Sequence, residues 1–268
     1  MSKTIAPYYP FTVSTPARAL DAKTSKGLKF GYLTAILYLS PATESGLFHK
    51  SGAPVNTCPF STEGCRTSCL YTAGRAGYLP AVNAARRERT RDYVENREAF
   101  MAACRKSIAK LVRKATRDGL IPCVRMNGTS DLPQLALTLA AEFPDVIMYD
   151  YSKVPAPWKR TRANYHVTFS LSESNMADAM DAIEHGINVA VAFHVKRGHA
   201  LPSQFMGFDV IDGDVSDLRF LDKKSADGKG LIVGLRGKGR AKKDTTGFVK
   251  HPTFVPLAAL AATASAIL

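Results

Sequence analysis

The alternation of apolar, strand-like runs with amphipathic, helix-like runs constrains the fold of this chain more than any other feature. The clearest strand-like runs read KFGYLTAILYLSP, LIPCVRM, VIMYDYS, NYHVTFSLS, INVAVAFHVK and GLIVGLR. Strands and helices in repeated alternation are typical of a parallel sheet with crossover connections. The sequence therefore predicts an α/β fold whose parallel strands curl into a TIM-barrel-like or partial (β/α) barrel.

The domain organisation follows from the length of 268 residues, which fits one large α/β domain. We predict an irregular N-terminal arm over residues 1–30, a single barrel-like domain over 31–250 and a C-terminal tail or docking helix over 251–268. A long helical pattern runs from about Pro80 to Asp118, as one helix or as two helices joined near Asn96, and Gly119 ends it. No apolar run is long enough to cross a bilayer, so we expect a cytoplasmic protein with no membrane partner.

Three cysteines form the most chemically specific motif. Cys58, Cys65 and Cys69 lie in the stretch CPFSTEGCRTSC, between the first strand-like run and the long helical pattern. A helical turn would place Cys65 and Cys69, at i and i+4, on one face, and Cys58 would fold back across a loop to meet them. The odd total of five cysteines favours a metal or iron–sulfur site over disulfides, and Cys104 and Cys123 lie in apolar surroundings.

The number of ligands in this motif favours an iron–sulfur cluster over zinc. A structural zinc ion normally takes four protein ligands, so His49 would have to complete a Cys3His site. A [4Fe–4S] cluster can be held by three cysteines, which leaves its fourth iron for a substrate, a water molecule or another side chain. The sequence predicts a [4Fe–4S] cluster on Cys58, Cys65 and Cys69, with zinc or no metal as the alternatives.

An excess of positive charge favours a polyanionic partner, with nucleic acid as the leading candidate. The chain carries 36 Lys and Arg residues against 23 Asp and Glu residues, a net charge of +13. Such residues bind the phosphates of DNA or RNA. Two clusters supply the candidate nucleic-acid-binding residues, which are Arg86, Arg87, Arg91, Arg236, Lys238, Arg240, Lys242 and Lys243. The alternatives are a solvated basic surface and a site for a small phosphorylated molecule.

Polar residues follow the predicted strands. Because the carboxyl ends of barrel strands meet at one mouth, these side chains are expected to face the same cavity as the cysteines. They are Asn127, Thr129, Ser130, Asp131, Asp150, Tyr151, Lys153, Ser170, Glu173, His194 and Lys196. Simpler roles are open to some of them: Asp131 as the cap of a helix that begins at Leu132, Asp150 as a turn acid and His194 as a core histidine.

Five blocks of the sequence carry a family resemblance: CPFSTEGCRTSCLYTAGRAG, ARRERTRDYVENREAF, RMNGTSDLP, YDYSKVP and NYHVTFSLSESN. Together they resemble a bacteriophage family labelled gene product 88-like, over roughly residues 30 to 240. The resemblance implies a phage-encoded protein in the cytoplasm of the host cell. It implies no particular activity.

A looser resemblance is to radical S-adenosylmethionine enzymes, which carry a cysteine trio in the loop after the first strand of an α/β barrel. On this resemblance Cys58, Cys65 and Cys69 would hold the cluster. The turn after the next strand would bind S-adenosylmethionine through Asn127, Gly128, Thr129, Ser130 and Asp131. That superfamily normally spaces its cysteines Cys-x3-Cys-x2-Cys, whereas the gaps here are six and three residues.

The sequence thus leads to one main hypothesis and two alternatives. The main hypothesis is a phage-encoded iron–sulfur protein that binds nucleic acid through a basic surface, with or without modifying it. The first alternative is a radical-SAM-like or redox enzyme that acts on S-adenosylmethionine or a small metabolite. The second is a zinc-stabilised binding module.

Overall fold

The computed structural model of the protein describes residues 8–15 and 22–253, which form a mixed α/β fold on one sheet. The strands are β1 (Phe11–Val13), β2 (Tyr32–Leu37), β3 (Ile121–Arg125), β4 (Ile147–Ser152), β5 (Tyr165–Ser170), β6 (Val189–Phe193), β7 (Gln204–Phe205), β8 (Phe208–Asp212) and β9 (Ile232–Arg236). The helices are α1 (Ala22–Leu28), α2 (Glu63–Thr67), α3 (Pro80–Glu95), α4 (Arg97–Arg117), α5 (Pro133–Glu142) and α6 (Met176–Glu184).

The sheet is mostly parallel and open. Its strand order is β1-β2-β3-β4-β5-β6-β9-β8-β7, and every pair from β2 to β8 is parallel. The short strands β1 and β7 add antiparallel to the two ends and leave the sheet with two edges. The α/β prediction with parallel strands is confirmed. A closed TIM-barrel-like sheet is not formed, because the edge strands do not pair with each other.

The long helical pattern forms two helices. Helix α3 ends at Glu95, and α4 begins at Arg97, so the break falls at Asn96. Helix α4 ends before Gly119, whose φ of +65° lies in the left-handed region that favours glycine at a helix end. These boundaries confirm the pattern read from the sequence.

The segment predicted as an irregular N-terminal arm contributes to the fold. Strand β1 pairs with β2, with Phe11 opposite Leu37, and Phe11 and Val13 are buried in the main hydrophobic core. Helix α1 also lies within residues 1–30. Residues 254–268, which include most of the predicted tail or docking helix, lie outside the described residues, as do 1–7 and 16–21.

Two hydrophobic clusters hold α4, α5 and α6 against one face of the sheet. Helices α4 and α5 pack with β1 to β4 in the larger cluster, where Cys104 is fully buried. Helix α6 packs with β5, β6 and β9 in the second cluster. In the described ranges, no helix has both the length and the apolar character needed to cross a membrane.

Candidate functional site

A cavity of about 230 Å³ lies at the carboxyl ends of the parallel strands. Its walls include the turn 127–131 after β3, residues 151–153 at the end of β4, Ser170 at the end of β5 and residues 235–238 at the end of β9. The three predicted metal ligands also line it: Cys58, Cys65 and Cys69. The structure therefore brings the predicted cysteines and the predicted cofactor turn to one cavity.

The alternation of side chains along the strands explains this placement. Successive residues of a strand point to opposite faces of the sheet. Val124 of β3 and Val191 of β6 pack against the helices, whereas their neighbours Arg125 and Ala192 line the cavity. The cavity therefore lies on the sheet face opposite α4, α5 and α6.

Local hydrogen bonds fix the cysteine loop against the cavity. Thr62 caps α2, and its hydroxyl oxygen accepts a hydrogen bond from the backbone N–H of Cys65 at 3.3 Å. Helix α2 ends at Thr67, so Cys69 lies just beyond it, yet both thiols line the same cavity. The Cys58 thiol lies 3.6 Å from the carbonyl oxygen of Thr129, which joins the loop to the turn after β3. All three cysteines are half-buried and free of disulfides.

A carboxylate from the loop after β5 holds α2 in place. Glu173, in the loop after β5, accepts hydrogen bonds from the Thr62 hydroxyl and the Gly64 N–H, each at 2.7 Å. Gly64 is packed so closely that an added Cβ would lie 2.1 Å from the Thr246 hydroxyl oxygen. Glu173 was expected to face the cavity and is not among its lining residues. It holds the cysteine helix instead.

Burial favours the neutral form of two of the cavity thiols. Burial raises the pKa of Cys58 to about 11 and also raises the pKa of Cys69. Lys153 lies beside them and donates a hydrogen bond to the Ser170 hydroxyl at 3.0 Å. Burial would lower the pKa of Lys153, but the nearby Cys65 and Asp131 outweigh it and raise that pKa. A cation thus lies next to the cysteines inside the cavity.

The turn after β3 is organised by its own side chains. The Asn127 side-chain oxygen accepts hydrogen bonds from the Ser130 hydroxyl and the Leu132 N–H, both at 2.9 Å. Asp131 accepts from the Ser152 hydroxyl and the Lys153 N–H, both at 2.7 Å. No side chain accepts a capping hydrogen bond at the N-terminus of α5. Asp131 therefore does not cap this helix. Asp131 links the turn to the end of β4.

Asp150 supports this turn from beneath the cavity. It is fully buried and accepts hydrogen bonds from the Asn127 N–H at 2.6 Å and the Asn127 side-chain amide at 2.9 Å. The Tyr165 hydroxyl is a third donor, at 3.2 Å. Burial raises the pKa of Asp150 to about 7 despite these donors. The residue does not line the cavity, so its role is to position Asn127.

A buried ion pair in the cavity wall was missed by the sequence reasoning. Arg125 is 4% exposed, donates to Asp217 at 3.0 Å and lies over the Tyr151 ring, 4.6 Å from its centroid. Lys23 also lines the cavity, and the positive charges of Lys23 and Arg125 outweigh burial and lower the pKa of Asp217. An arginine inside the apolar run IPCVR was the available signal, because a charge in a buried strand needs a partner.

Three residues considered in the sequence lie away from the cavity. His194 and Lys196 are exposed, and neither lines it. The chain turns away after β6, where the His194 N–H donates to the Lys250 carbonyl oxygen at 2.9 Å. His49, the proposed fourth ligand of a zinc site, is exposed and does not line the cavity either.

The candidate nucleic-acid-binding residues divide into two groups. Exposed side chains without a role in the cavity wall are Arg87, Arg91, Arg240, Lys242 and Lys243. The last three belong to a short 3₁₀ helix, Gly239–Lys243, which we call the basic 3₁₀ helix. It packs on residues 58–73, which we call the cysteine segment, because a Cβ added at Gly239 would lie 2.9 Å from the Ala73 Cβ.

The other candidate residues have internal partners. Arg86 is buried, with its guanidinium carbon 5.2 Å from the centroid of the Tyr38 ring. Arg236 forms ion pairs with Asp212 at 3.0 Å and Asp214 at 3.1 Å. Lys238 pairs with Asp214 at 2.7 Å. Arg86 does not belong to the exposed basic surface, and the charges of Arg236 and Lys238 are balanced within the protein.

The described residues hold no group of three or more His, Cys, Asp and Glu side chains compact enough to bind a single metal ion. A mononuclear zinc site on the cysteine trio therefore has no geometric support. Ligands of a [4Fe–4S] cluster bind different iron atoms and lie farther apart than the ligands of one ion. Cys58, Cys65 and Cys69 all line one cavity, so they are the residues that could hold such a cluster.

Comparisons with known proteins identify a family. The family model described as Gene product 88 matches residues 13–252 and confirms the resemblance to that family predicted from the sequence. Searches of curated proteins and of solved structures found no match, and they lend no support to a likeness to radical S-adenosylmethionine enzymes. Because the family model covers most of its length, the chain belongs to the gene product 88 family of bacteriophage proteins.

Proposed function

We propose that this protein binds a [4Fe–4S] cluster through Cys58, Cys65 and Cys69 and binds nucleic acid through the basic surface beside it. One observation carries the proposal: three half-buried thiols, from a loop and a short helix, line a single cavity at the carboxyl ends of parallel strands. When bound, such a cluster supplies one-electron redox chemistry and an open position on its fourth iron.

The residues around the thiols suit this group. Ligand thiolates and a cluster carry negative charge, and Lys153 provides a cation next to Cys65. Glu173 and Thr62 fix the helix that carries Cys65, so the ligand is held in place before the group binds. Cys104 and Cys123 are fully buried in hydrophobic clusters and take no part.

The nucleic-acid part of the proposal rests on charge and position. The net charge of the chain is +13, and the exposed Arg240, Lys242 and Lys243 lie on the basic 3₁₀ helix, which packs against the cysteine segment. Ser68, next to Cys69, donates a hydrogen bond to Asp244 at 3.2 Å and ties the two segments together. A bound strand would therefore pass close to the cavity mouth.

An anaerobic preparation tests the cluster directly. We expect a brown protein with a broad visible absorption band and with iron and sulfide in equal amounts, and we expect Cys65→Ala to lose both the band and the iron. Cys104→Ala is the matched control, because it removes a thiol from the core of α4 and leaves the cavity intact. A colourless protein with zinc or no metal after reconstitution with iron and sulfide would overturn the proposal.

A second candidate function is a radical-SAM-like enzyme. It is favoured by one observation, that Asn127, Gly128, Thr129, Ser130 and Asp131 all line the cysteine cavity. The parallel strands β2, β3, β4, β5 and β6 lie side by side in chain order, which is also the arrangement of successive strands in a (β/α) barrel. Reduced, cluster-loaded protein that leaves S-adenosylmethionine intact, with and without nucleic acid, would exclude this function.

A further inference from the structure

Exposed hydrophobic side chains concentrate around the cysteines. Four of the nine large hydrophobic residues that are exposed in the described ranges fall within residues 60–79. They are Phe60 at 47%, Leu70 at 43%, Tyr78 at 69% and Leu79 at 40% exposure. Single exposed apolar side chains are ordinary, but a local concentration of them marks an interaction surface.

These side chains lie in or just after the segment that lines one side of the cavity. Phe60 lies between Cys58 and Ser61, which both line the cavity, and Leu70 lines it directly. Tyr78 follows the 3₁₀ helix Gly74–Gly77, which packs against the 3₁₀ helix Leu70–Thr72. Phe60 is thus exposed to solvent beside two lining residues, and Tyr78 is exposed directly after the 3₁₀ helices that follow Cys69.

Basic side chains are interleaved with the rings. Arg66 donates to the Ser61 carbonyl oxygen at 2.6 Å, which holds its guanidinium beside the Phe60 loop. The basic 3₁₀ helix brings Arg240 and Lys242 to the same side, since it packs on Ala73. We call this combined surface the rim patch, and it consists of Phe60, Arg66, Leu70, Tyr78, Arg240 and Lys242.

The chemistry of the rim patch selects among nucleic acids. In a duplex the faces of the bases are covered by their neighbours, so an exposed aromatic ring gains little from it. In a single strand the bases are free to stack on aromatic rings while basic side chains follow the phosphates. A surface that only neutralised a duplex would need no exposed aromatic rings.

We infer that the ligand of the rim patch is single-stranded nucleic acid, with Phe60 and Tyr78 stacking on its bases. The inference rests on the proposed function and names the ligand class of that same surface. The cavity opens beneath the patch, so the bound strand lies across the mouth that Cys58, Cys65 and Cys69 line.

The test is fluorescence anisotropy of the full-length protein with labelled oligonucleotides of about 20 nucleotides, which span the usual single-strand site sizes. Single-stranded DNA, single-stranded RNA and the corresponding duplexes are compared at one salt concentration. We expect tighter binding of a single strand than of its duplex. We expect Phe60→Leu to weaken single-strand binding roughly 5- to 100-fold, which is the usual effect of removing one stacking ring.

Two further variants make the result specific. Phe60→Tyr keeps an aromatic ring and should bind like the native protein. Phe30→Leu is the matched control, because Phe30 is 44% exposed but precedes β2, at the opposite end of the strands from the cavity. The DNA and RNA arms identify which strand is preferred.

The outcomes separate the two proposals. Binding with equal affinity for duplex and single strand, or native affinity in Phe60→Leu, would overturn the inference and leave the nucleic-acid function standing. No binding of any oligonucleotide would overturn the nucleic-acid function itself and the inference with it. The cluster proposal is tested separately by absorption and metal content.

Discussion

At the scale of single residues, the site combines residues with plain sequence signals and residues with none. The cysteines and the turn 127–131 were predicted because thiol spacing and strand-ending polar residues are readable from sequence. The partners of Arg125 and Glu173 were not, because Asp217 and Thr62 lie 92 and 111 residues away in the chain. Such pairings depend on the fold, which brings distant loops together.

Asp150 offers a residue-scale test of the structure. Burial raises its pKa to about 7, against about 3.9 for an aspartate in an unfolded chain. Between these values the folded protein holds a proton that the unfolded chain has released, so the free energy of unfolding falls as the pH rises from about 4 to about 7. Asp150→Asn does not titrate and removes this contribution.

Urea unfolding of both proteins from pH 5 to pH 8 measures the effect. The native protein should lose roughly 2 to 3 kcal/mol of unfolding free energy relative to Asp150→Asn over that range. Other titrating groups are shared by the two proteins, so only the difference between their pH profiles is informative. Parallel profiles would mean that Asp150 has an ordinary pKa.

At the scale of elements, hydrophobic periodicity predicted the strands β2 to β6 and β9 and the long helical pattern of α3 and α4. The sequence left one helix and two helices open for the pattern of α3 and α4, and the structure has two, with the break at Asn96. Strand β1 was missed because it is three residues long and lies among prolines, so its burial depends on pairing with β2. Helix α2 spans only five residues and is held by Glu173 rather than by its own length.

The dependence of α2 on Glu173 gives an element-scale prediction. Glu173→Ala removes the acceptor for the Thr62 hydroxyl and the Gly64 N–H, so the cysteine helix opens more often. In metal-free protein we expect the three cavity thiols to react at least about tenfold faster with a disulfide reagent. Glu173→Gln keeps one acceptor oxygen, so its thiols should react at a rate between those of the native protein and Glu173→Ala.

The matched control is Glu98→Ala, which removes an exposed carboxylate from the first turn of α4. The three cavity thiols of Glu98→Ala should react at the native rate. Cys104 and Cys123 are fully buried and should stay unreactive in every folded variant. Equal labelling rates in Glu173→Ala and native protein would show that α2 does not need this carboxylate.

At the scale of the whole molecule, the alternation of strands and helices was enough to predict a parallel α/β sheet. It was not enough to decide closure, because closure depends on whether the two edge strands pair, and β1 and β7 do not. The net charge of +13 was likewise readable, but its distribution was not. Arg86 and Arg236 are partnered internally, and five other candidates remain exposed.

The exposed basic residues predict the salt dependence of nucleic-acid binding. If Arg87, Arg91, Arg240, Lys242 and Lys243 each contact one phosphate of a single strand, the logarithm of the binding constant should fall against the logarithm of salt concentration with a slope of about −3.5. Replacing Arg240 and Lys242 by glutamine should reduce the magnitude of that slope by about 1.4.

A second double variant, away from the cavity, is the control for the replacement of Arg240 and Lys242. Lys223 and Lys224 are exposed in the loop before β9, at the amino ends of the strands, so replacing both by glutamine makes the same change in net charge away from the cavity. The slope should then stay at the native value. If both double variants lower the slope equally, the protein attracts nucleic acid through its overall charge and not through the cavity side.

The cavity joins residues from distant parts of the chain, and this affects when it can form during translation. Cys58 and Phe248 both line it and are about 190 residues apart. At roughly 5 to 20 residues per second, a ribosome needs about 10 to 40 seconds to cover that distance. The thiols therefore leave the ribosome well before the last wall of the cavity is made, and the cavity can enclose a bound group only once residue 248 has been synthesised.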